Sequence, residues 1–414
     1  MYVTNVRARG FTIVELLIVI VVIAILAAVT IVGYVGITSR ATDASLKAEL
    51  KSAAQQIETQ KVQSGANPAT LQEAGVTVRS DIVPDYRRAL NAYCLSYSQG
   101  TRIFNINSKI GTIETGGCAL LGNVATAAGN GAGGSADGPG ESATMFAPFG
   151  VATAPNGNIY FTDSAARIRK ITPDGVVSTI TPSESLNTTA IHVGKDGTIY
   201  IGEAGNHRVS KVAEDGTVTV IAGSPGISGM VNGDGTAARF NNVYGVTSDS
   251  VGNLYIADAA NHRIRKIDTN TEVTTYAGTG TAGLLNGSAS TARFNRPYGI
   301  TIDPQGNLYV GDTNNSVIRK IATDGTVSTY ASIKVGGLDY AADGNIYAAA
   351  FAAHTIVKVD STGAVTTIAG SGVAGFANGT GTTASFNAPN DVAASSSGVL
   401  YIADLNNYRI RKIE

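Results

Sequence analysis

The strongest constraint on the fold is a phrase of residues that recurs six times between residue 122 and the end of the chain. In every copy an aliphatic residue stands nine positions before a tyrosine, and a turn rich in Asp, Asn and Gly separates the two. In most copies the tyrosine is followed by an acidic residue, a loop and a basic strand. The six pairs are Val151 and Tyr160, Ile191 and Tyr200, Val246 and Tyr255, Ile300 and Tyr309, Leu338 and Tyr347, and Val392 and Tyr401.

Each copy contains four short strands, and the copies follow one another at intervals of about 40 to 55 residues. A four-stranded unit repeated at that interval is typical of the blade of a β-propeller. Gly is abundant at 49 residues and Trp is absent, which fits a body with many turns. We therefore predict an all-β, six-bladed propeller over residues 122–414.

The two ends of the repeat region indicate how the ring closes. The last copy stops at Glu414 after its third strand, so its fourth strand is missing there. A matching segment, residues 123–129, lies upstream and parallels Val365–Gly370 in the fifth copy. We expect segment 123–129 to complete the last blade, which leaves only short and protected strand edges.

The N-terminal region has a different character. A short basic leader, residues 1–10, ends at Gly10, and an apolar run from Phe11 to Ile37 follows with Glu15 as its only charge. This run is long enough to cross a bilayer, which takes ~20 apolar residues. A secretory signal would place its cleavage site after the apolar run, whereas here the glycine precedes it. We predict a helix over residues 11–65, with 11–37 in the membrane and the body of the chain outside.

The leader, Gly10, Phe11 and Glu15 at these spacings resemble the N terminus of type IV pilins and pseudopilins. The resemblance implies that a prepilin peptidase cleaves between Gly10 and Phe11 and methylates the new amine. A carboxylate in a membrane helix needs a partner, and the resemblance implies that Glu15 pairs with the Phe11 amine of a neighbouring subunit. The expected partners are other pilin subunits, first in the inner membrane and then in an extracellular filament. An ordinary anchor with an isolated glutamate is the alternative.

Residues 66–121 form a small segment that looks like a pilin head. Residues 92–97 and 102–106 are predicted to be strands, and the only cysteines of the chain, Cys94 and Cys118, lie in this segment. So small a head has little core of its own, so a covalent link is expected to stabilise it. We predict a Cys94–Cys118 disulfide, with a metal-binding pair as the alternative.

The six copies resemble NHL repeats, most clearly at Asp312–Ile321 and Asp404–Lys412. The long insertions between copies resemble those in the NHL domains of large cell-surface proteins. The fifth copy departs most from the pattern, because Ala350 and Ala353 replace its acidic residue and its asparagine.

Residues capable of chemistry are few, so we predict no catalytic, cofactor-binding or metal-binding residue. Some propellers related by this resemblance are metal lyases, but the inner strands here contain no cluster of histidines. His192 and Asp339 lie on opposite inner strands, too far apart to converge on one ion. The formal net charge of −1 argues against a nucleic-acid-binding surface.

Two recurrent polar features have competing interpretations. The acids that end the second strands are either turn caps, which we favour, or a ring of carboxylates. The basic third strands, such as Arg263–Lys266, are expected to pair with acids of neighbouring blades or to stay solvated. The acids concerned are Asp163, Glu203, Asp258, Asp312 and Asp404.

Four of the six links between copies are long, whereas those near Pro182 and Lys334 are short. Long loops on a rigid scaffold are common binding sites, and these links should emerge on the same side as the Asp-to-Asn loops. Phe146, Phe240, Phe294 and Phe386 end the long links, and we expect them to fill gaps between blades. The candidate binding residues on this side are Asp258, Asn261, His262, Asp312, Asn315, Asp404 and Asn407.

The combined pattern predicts a non-enzymatic, pilin-like filament subunit that displays a propeller outside the cell. The propeller is expected to bind an extracellular protein or glycan, as an adhesin or a sensor. A purely structural filament or pseudopilus subunit is one alternative, and a propeller lyase or hydrolase is another.

Overall fold

The computed structural model describes residues 42–63, 70–89, 92–99, 102–107, 113–115 and 122–414. The chain divides into two compact units, Met1–Ala119 and Leu120–Glu414. The predicted leader and apolar run, with Gly10, Phe11 and Glu15, lie outside the described residues, as does Cys118. Across the ranges that the structure describes, no helix has the length and apolarity needed to span a membrane.

The first unit contains a helix over residues 42–63 and an antiparallel sheet. The apolar residues that recur at helical spacing, including Leu46, Leu50 and Ile57, pack in a core with Leu95 and Tyr97 of the sheet. The predicted strands at 92–97 and 102–106 are confirmed, and Cys94 lies on the first of them. Its predicted partner is not described, so the disulfide stays a prediction. The strands, paired in chain order, are Val83–Ala89, Ala92–Gln99, Arg102–Asn107 and Ile113–Thr115.

The second unit is a ring of six antiparallel sheets, as the repeat pattern predicts. Within each blade the first strand lies innermost, and each later strand pairs with the one before it. Blade 1 has strands Pro148–Thr153, Ile159–Asp163, Arg167–Ile171 and Val176–Ile180; blade 2 has Thr188–Val193, Ile199–Glu203, Arg208–Val212 and Val218–Gly223; blade 3 has Val243–Ser248, Leu254–Asp258, Arg263–Ile267 and Glu272–Ala277.

The remaining blades follow the same order. Blade 4 has strands Pro297–Ile302, Leu308–Asp312, Val317–Ile321 and Thr326–Ala331; blade 5 has Leu338–Tyr340, Ile346–Ala350, Thr355–Val359 and Val365–Ala369; blade 6 has Pro389–Ala394, Leu400–Asp404 and Arg409–Ile413, with Asn123–Ala128 as its fourth strand. In blades 1, 3, 4 and 6 the long link adds a short outer strand: Gly138–Pro139, Gly233–Asp234, Gly287–Ser288 and Gly379–Thr380.

Blade 6 is built from both ends of the second unit. Asn123–Ala128 pairs antiparallel with Arg409–Ile413, with Val124 opposite Ile413 and Thr126 opposite Arg411. The Asn123 amide also donates to the carbonyl of Glu414 at 3.0 Å. The ring is thus closed by strand pairing, and the polypeptide enters and leaves it on one face.

The two faces of the ring carry different connections. The turn face holds the connections between first and second strands and between third and fourth strands, together with both ends of the unit. The loop face holds the links between blades and the short connections between second and third strands. The amide of Asn261, in such a connection, donates to the carbonyl of Gly229 in the link 224–242, which confirms that both lie on one side.

Aromatic residues at the ends of the long links fill the space between blades. Phe240, Phe294 and Phe386 are fully buried, as predicted. The prediction for Phe146 is wrong, because its side chain is 39% exposed and Met145 occupies the buried position. The first long link reaches its inner strand with Met145 in register with Phe240 of blade 3, so the aromatic residue falls one place too late.

Candidate functional site

The long links are the longest connections between blades of the propeller. They span residues 129–147, 224–242, 278–296 and 370–388, nineteen residues each. The short links span residues 181–187 and 332–337. A nineteen-residue loop would ordinarily be mobile, so the contacts that hold these links determine whether they can form a defined binding surface.

The acid that ends the second strand caps the adjoining loops. In blade 3, Asp258 accepts a hydrogen bond from the Asn241 amide at 2.7 Å and from the side chain of Asn261 at 2.8 Å. The capping interpretation is therefore confirmed for this blade. Blades 4 and 6 repeat it, with Asp312 bonded to Asn295 and Asn315, and Asp404 to Asn387 and Asn407.

The same carboxylate also pairs with a buried arginine of its own blade. Nη1 of Arg265 lies 2.9 Å from Asp258 and 3.0 Å from the carbonyl of Arg239. Nη2 donates to the Val231 carbonyl at 3.0 Å and to Asn232 at 2.7 Å. The prediction that such basic residues pair between blades or stay solvated is wrong for Arg265, since its side chain is fully buried.

The arginine thereby fastens both arms of the link to the blade. Val231 and Asn232 lie on the arm of the link that precedes the short outer strand Gly233–Asp234, and Arg239 lies on the arm that follows it. The guanidinium can bridge them because its planar group carries five donors in a fixed geometry. The equivalent arginines are Arg169, Arg319 and Arg411, and each donates to both arms of its own long link.

The electrostatics of this pair are dominated by burial. Burial raises the pKa of Asp258 to about 6, while hydrogen bonds from Asn261, the Asn241 amide and Arg265 oppose the rise. Burial likewise lowers the pKa of Arg265, and the nearby Asp258 carboxylate opposes that change. The ion pair is therefore strongly desolvated and depends on complete hydrogen bonding to remain favourable.

The other blades show what happens when a part is missing. In blade 1 the loop after Asp163 is one residue shorter, and Asp163 lies 3.7 Å from Arg169. In blade 2, Glu203 binds Arg208 and Ser210 at 2.7 Å each. Blade 5 has Ala350 opposite Thr355, and Val357 in the register that holds arginine elsewhere. Blades 2 and 5 are also the two with short links before them.

Three histidines help to position the links. Nδ1 of His262 accepts a hydrogen bond from the Arg296 amide at 3.1 Å. His262 has φ of 54°, a left-handed conformation that aims its ring at the next link. His207 and His354 make the same contact, with the amides of Asn242 and Ala388. These contacts give the three histidines a structural role in holding the next link.

A second concave feature is the channel at the centre of the ring. It encloses about 450 Å³ and is lined by the inner strands of all six blades. Two carboxylates face it. Asp339 accepts hydrogen bonds from Thr301 at 3.1 Å and from the Ala394 amide at 2.9 Å. Asp391 accepts one from the Val151 amide at 3.0 Å. Each acid therefore ties together inner strands of different blades.

The channel environment disfavours charge. Burial raises the pKa of Asp391 to about 7 and that of Asp339 to about 6. Burial lowers the pKa of His192 to about 4, and its Nε2 lies 2.8 Å from the Ser248 hydroxyl. His192 is thus neutral near pH 7. Throughout the described part of the chain, no three His, Cys, Asp or Glu side chains are grouped as metal ligands would be.

An aromatic layer lies in the channel on the side of the loop face. The rings of Tyr244 and Tyr298 stack with centroids 4.5 Å apart, and Phe149 lies 6.2 Å from Tyr298. Asn390 joins the layer by donating to the Phe149 carbonyl at 2.7 Å. Phe149, Tyr244, Tyr298 and Asn390 all line the channel.

Sequence reasoning missed Asp391 and did not recognise Asp339 as part of a shared channel. A signal for Asp391 exists in the repeats, because its position holds Gly or Ala in the other five blades. The neighbouring Gly337 explains how the carboxylate fits, since a Cβ there would fall 1.6 Å from an Asp391 oxygen. The burial of Arg265 and its equivalents had no comparable signal, because the arginine is a basic residue in a basic strand.

Comparison with family profiles gives three matches. A prokaryotic N-terminal methylation motif matches residues 5–31. An SMP-30/gluconolactonase/LRE-like region matches residues 135–336, and an NHL repeat matches residues 386–413.

Curated relatives match parts of the propeller. Protein SUPPRESSOR OF QUENCHING 1, chloroplastic, from Arabidopsis thaliana is 34% identical over 134 residues, 31% of this chain. Teneurin-3 from Danio rerio is 29% identical over 221 residues, 43% of this chain. NHL repeat-containing protein 2 from Bos taurus is 46% identical over 95 residues, 22% of this chain. The matches span only 13%, 8% and 13% of these relatives.

Solved structures resemble this chain in fold. A structural-genomics protein of unknown function from Bacteroides thetaiotaomicron has a TM-score of 0.58 and 22% identity, over 82% of this chain and 91% of its own. An auxiliary nutrient binding protein from the same organism has a TM-score of 0.55 and 16% identity, over 81% of this chain and 98% of its own. A putative gluconolactonase has a TM-score of 0.50 and 15% identity, over 71% of this chain and 92% of its own. The chain thus carries a prepilin-type N-terminal methylation motif and a six-bladed propeller that contains an NHL repeat.

Proposed function

We propose that this protein is a type IV pilin-like filament subunit that displays its propeller outside the cell to bind a protein or a glycan. The observation that carries the proposal is the methylation motif at residues 5–31 in one chain with a closed propeller. Such a motif accounts for membrane insertion and filament assembly, and a propeller accounts for a rigid exposed surface.

The N-terminal steps follow from the residues at the motif. Cleavage between Gly10 and Phe11 releases a new amine beside the apolar run. Glu15 then pairs with the Phe11 amine of a neighbouring subunit, because a carboxylate in an apolar helix needs a compensating cation. The subunit starts in the inner membrane and ends in an extracellular filament. The division into leader 1–10, helix 11–65, head 66–121 and propeller 122–414 belongs to this proposal.

The pinned links support a binding role for the loop face. Four buried arginines hold nineteen-residue links in fixed positions, so binding there costs little ordering entropy. Asp258, Asn261, His262 and their counterparts in blades 4 and 6 contribute by shaping this face, and exposed residues of the links make the contacts.

The first test addresses processing and assembly. Mass spectrometry of the native protein should find a methylated Phe11 as its N-terminal residue. Glu15→Gln should abolish filaments seen by electron microscopy, because the helix then lacks the charge that pairs with the amine. Glu49→Gln is the matched control, since Glu49 lies on helix 42–63 and pairs with Arg79 at 3.0 Å. An uncleaved N terminus, or normal filaments from Glu15→Gln, would refute the proposal.

A purely structural subunit is distinguished by its distribution. Labelling against the propeller should decorate filaments throughout for a structural subunit, whereas an adhesin can be confined to the tip. The structural role would also leave adhesion unchanged when the propeller is altered on its loop face.

A second candidate function is hydrolysis or elimination on a small molecule in the central channel. The SMP-30/gluconolactonase/LRE-like match over residues 135–336 favours it, as do the carboxyls of Asp339 and Asp391 in the channel. Purified protein would be assayed on aldonolactones. Turnover that is lost in Asp391→Asn and kept in Asp360→Asn, on the turn face, would establish this activity.

A further inference from the structure

The exposed apolar side chains of the propeller are concentrated on the long links. Of twelve large apolar side chains that are exposed among the described residues, eight lie on these links. A monomeric protein usually scatters such residues singly, so a concentration on one face indicates a contact surface. The eight are Phe146, Ile227, Met230, Val231, Leu284, Leu285, Val373 and Phe376.

Two neighbouring links contribute most of this surface. Ile227, Met230, Val231, Leu284 and Leu285 lie on links 224–242 and 278–296, and we call them the loop-face patch. Their side chains are 43–53% exposed. The backbones of both links are held by buried arginines, so the patch is fixed in place.

Equivalent positions are apolar in successive links. Met230, Leu284 and Phe376 all stand two residues before the Asn-Gly that turns the link onto the outer strand. The backbone of the link supplies the acceptors for the buried arginine, and the side chain at this position points outward instead. Met230 and Phe376 contact the side chains of Arg263 and Arg411, yet each keeps 43–45% of its surface exposed, so the position presents apolar surface beyond what packing covers.

Cations border the loop-face patch. Arg263 lies between the two links, with Nη1 2.8 Å from the sulfur of Met230 and Nη2 donating to the Thr279 carbonyl. Arg293 and Arg296 are exposed on the second link. The only acid in the two links is Asp234, which lies at the outer edge of blade 3 opposite Glu272. The patch is therefore an apolar surface with a positive border.

The composition of the patch favours a protein over a glycan. Sugar rings stack on the faces of aromatic side chains, and the patch consists of aliphatic residues and one methionine. Phe376 is the exposed aromatic residue at the equivalent position of link 370–388. The Arg409 guanidinium lies 3.8 Å from the centre of its ring. Met and Arg are enriched where proteins meet proteins. Insertion into a membrane interface would require freely accessible apolar side chains, whereas the patch residues are only 43–53% exposed.

We infer that the loop-face patch docks a protein whose contact surface has an apolar centre bordered by carboxylates. This inference rests on the proposed extracellular display and narrows its binding partner to a class. Carboxylates of the partner would meet Arg293, Arg296 and Arg263, and its apolar residues would cover Leu284, Leu285 and Met230. The border charges would act mainly on association rate and specificity, and the apolar centre on affinity.

The experiment uses the full chain in filament-producing cells. A photo-crosslinking amino acid replaces Leu284 on the loop face or, as a control, Asn270 on the turn face. We expect a protein crosslink at position 284 and none of the same product at 270. Products that contain lipid or polysaccharide at 284, equal products at both positions, or no product at 284 would overturn the inference.

The identified partner is then purified, and its Kd for the full chain is measured. Leu284→Asn with Leu285→Asn should weaken binding at least tenfold. Arg293→Glu with Arg296→Glu should weaken it at least tenfold at low salt and less at high salt. Val251→Asn is the matched control, because Val251 is exposed on the turn face, and it should leave the Kd unchanged. An unchanged Kd in the Leu284/Leu285 variant, with unchanged melting temperature, would refute the docking site.

Failure of this inference is separable from failure of the proposed function. If processed filaments form but position 284 gives no protein crosslink, the filament role stands and the docking site falls. If no filaments form, the filament role falls, and the crosslinking outcome at the cell surface still decides the docking site.

Discussion

Blade 4 and blade 5 are neighbours with the same strand order, yet they differ at two equivalent buried positions. Blade 4 buries Asp312 and Arg319 as a pair 3.1 Å apart and follows a nineteen-residue link. Blade 5 has Ala350 and Val357 at these positions and follows a six-residue link. The difference indicates that the ion pair and the long link are one structural unit.

The physical reason is that the buried arginine and the link satisfy each other's hydrogen-bonding groups. Arg319 donates to Asp312, to the carbonyls of Arg293 and Leu285, and to Asn286. Three of these four acceptors belong to the link. Without the link a buried guanidinium would lack partners, and without the guanidinium the link carbonyls would lack donors. Blade 5 avoids both costs by having neither.

Blade 2 is intermediate and supports the same conclusion. It has a short link and keeps an acid, Glu203, which is fully buried. Arg208 and Ser210 satisfy that acid, and Arg208 also reaches Glu184 on the short link at 2.8 Å. The buried acid of blade 2 is thus stabilised by partners on its own blade, one of which also reaches the short link.

The most damaging change should be removal of the arginine alone. Arg319→Met leaves Asp312 buried without its cation, and we expect a loss of about 5 kcal/mol in the free energy of unfolding. Chemical denaturation of the chain in detergent measures it. Lys320→Met, next along the strand and partly exposed, is the control and should cost well under half as much. Equal losses in the two variants would show that the buried Asp312–Arg319 pair contributes no more to stability than a partly exposed lysine does.

Removing the buried aromatic residue at the end of a long link should give the second-largest loss of stability. Phe294 is fully buried, so Phe294→Ala should cost about 4 kcal/mol through the lost transfer energy and the cavity left behind. Phe146→Ala is the matched control, since Phe146 is the exposed member of the set and should cost less than about 1 kcal/mol. Comparable losses would contradict the assignment of Met145 to the buried position.

Giving blade 4 the two uncharged residues of blade 5 should reduce the free energy of unfolding less than removing the arginine alone. The double variant Asp312→Ala with Arg319→Val removes both charges, and we expect a loss of about 3 kcal/mol because no buried carboxylate is left unpaired. The freed link should also become more susceptible to trypsin at Arg293, whereas the Arg296–Pro297 bond is not a trypsin site. A double variant less stable than Arg319→Met, or a link that resists trypsin, would break the comparison.

The channel acids should give the smallest effect, as a dependence on pH. A carboxyl whose folded-state pKa is raised contributes its stabilisation fully below the unfolded pKa and loses it as pH rises through the folded pKa. With the pKa of Asp391 at about 7 and that of Asp339 at about 6, the stabilisation from these two acids should fall as pH rises from about 4 to about 7. The loss is about 2 kcal/mol for Asp391.

Asp391→Asn should flatten this pH profile, whatever its effect on stability at one pH. Denaturation curves at several pH values for both proteins measure the slope. The measurement is the difference between the two proteins, because the lowered pKa of His192 makes the wild-type stability rise with pH up to about pH 6.5 and opposes the acids. A stability difference between wild type and Asp391→Asn that stays constant from pH 5 to pH 8 would refute the raised pKa of Asp391.

Much of the fold could be predicted because the repeats state it directly. Six aliphatic–tyrosine pairs in phase require six equivalent strand pairs, and the missing fourth strand after Glu414 has one matching segment, residues 123–129. The structure pairs Asn123–Ala128 with Arg409–Ile413. The capping role of Asp258 was also predictable, because an acid followed by a loop with asparagine is a local pattern.

The candidate site was less predictable because its determinants are not local. Arg265 and Arg263 are two residues apart in the same basic strand, yet only Arg265 is fully buried. The alternation of a strand places them on the same face, so the difference comes from the link that covers one of them. Likewise, nothing near Asp391 in sequence indicates that it shares a channel with Asp339, fifty-two residues earlier.

The sequence by itself determined the repeated blades, the ring with its closing segment and the N-terminal motif, because each depends on periodicity or on short spacings. The tertiary structure alone decided which charges are buried, which link residues remain exposed and which acids share the channel. Burial and desolvation are set by whatever packs over a residue from distant parts of the chain, and that information exists only once the ring has closed.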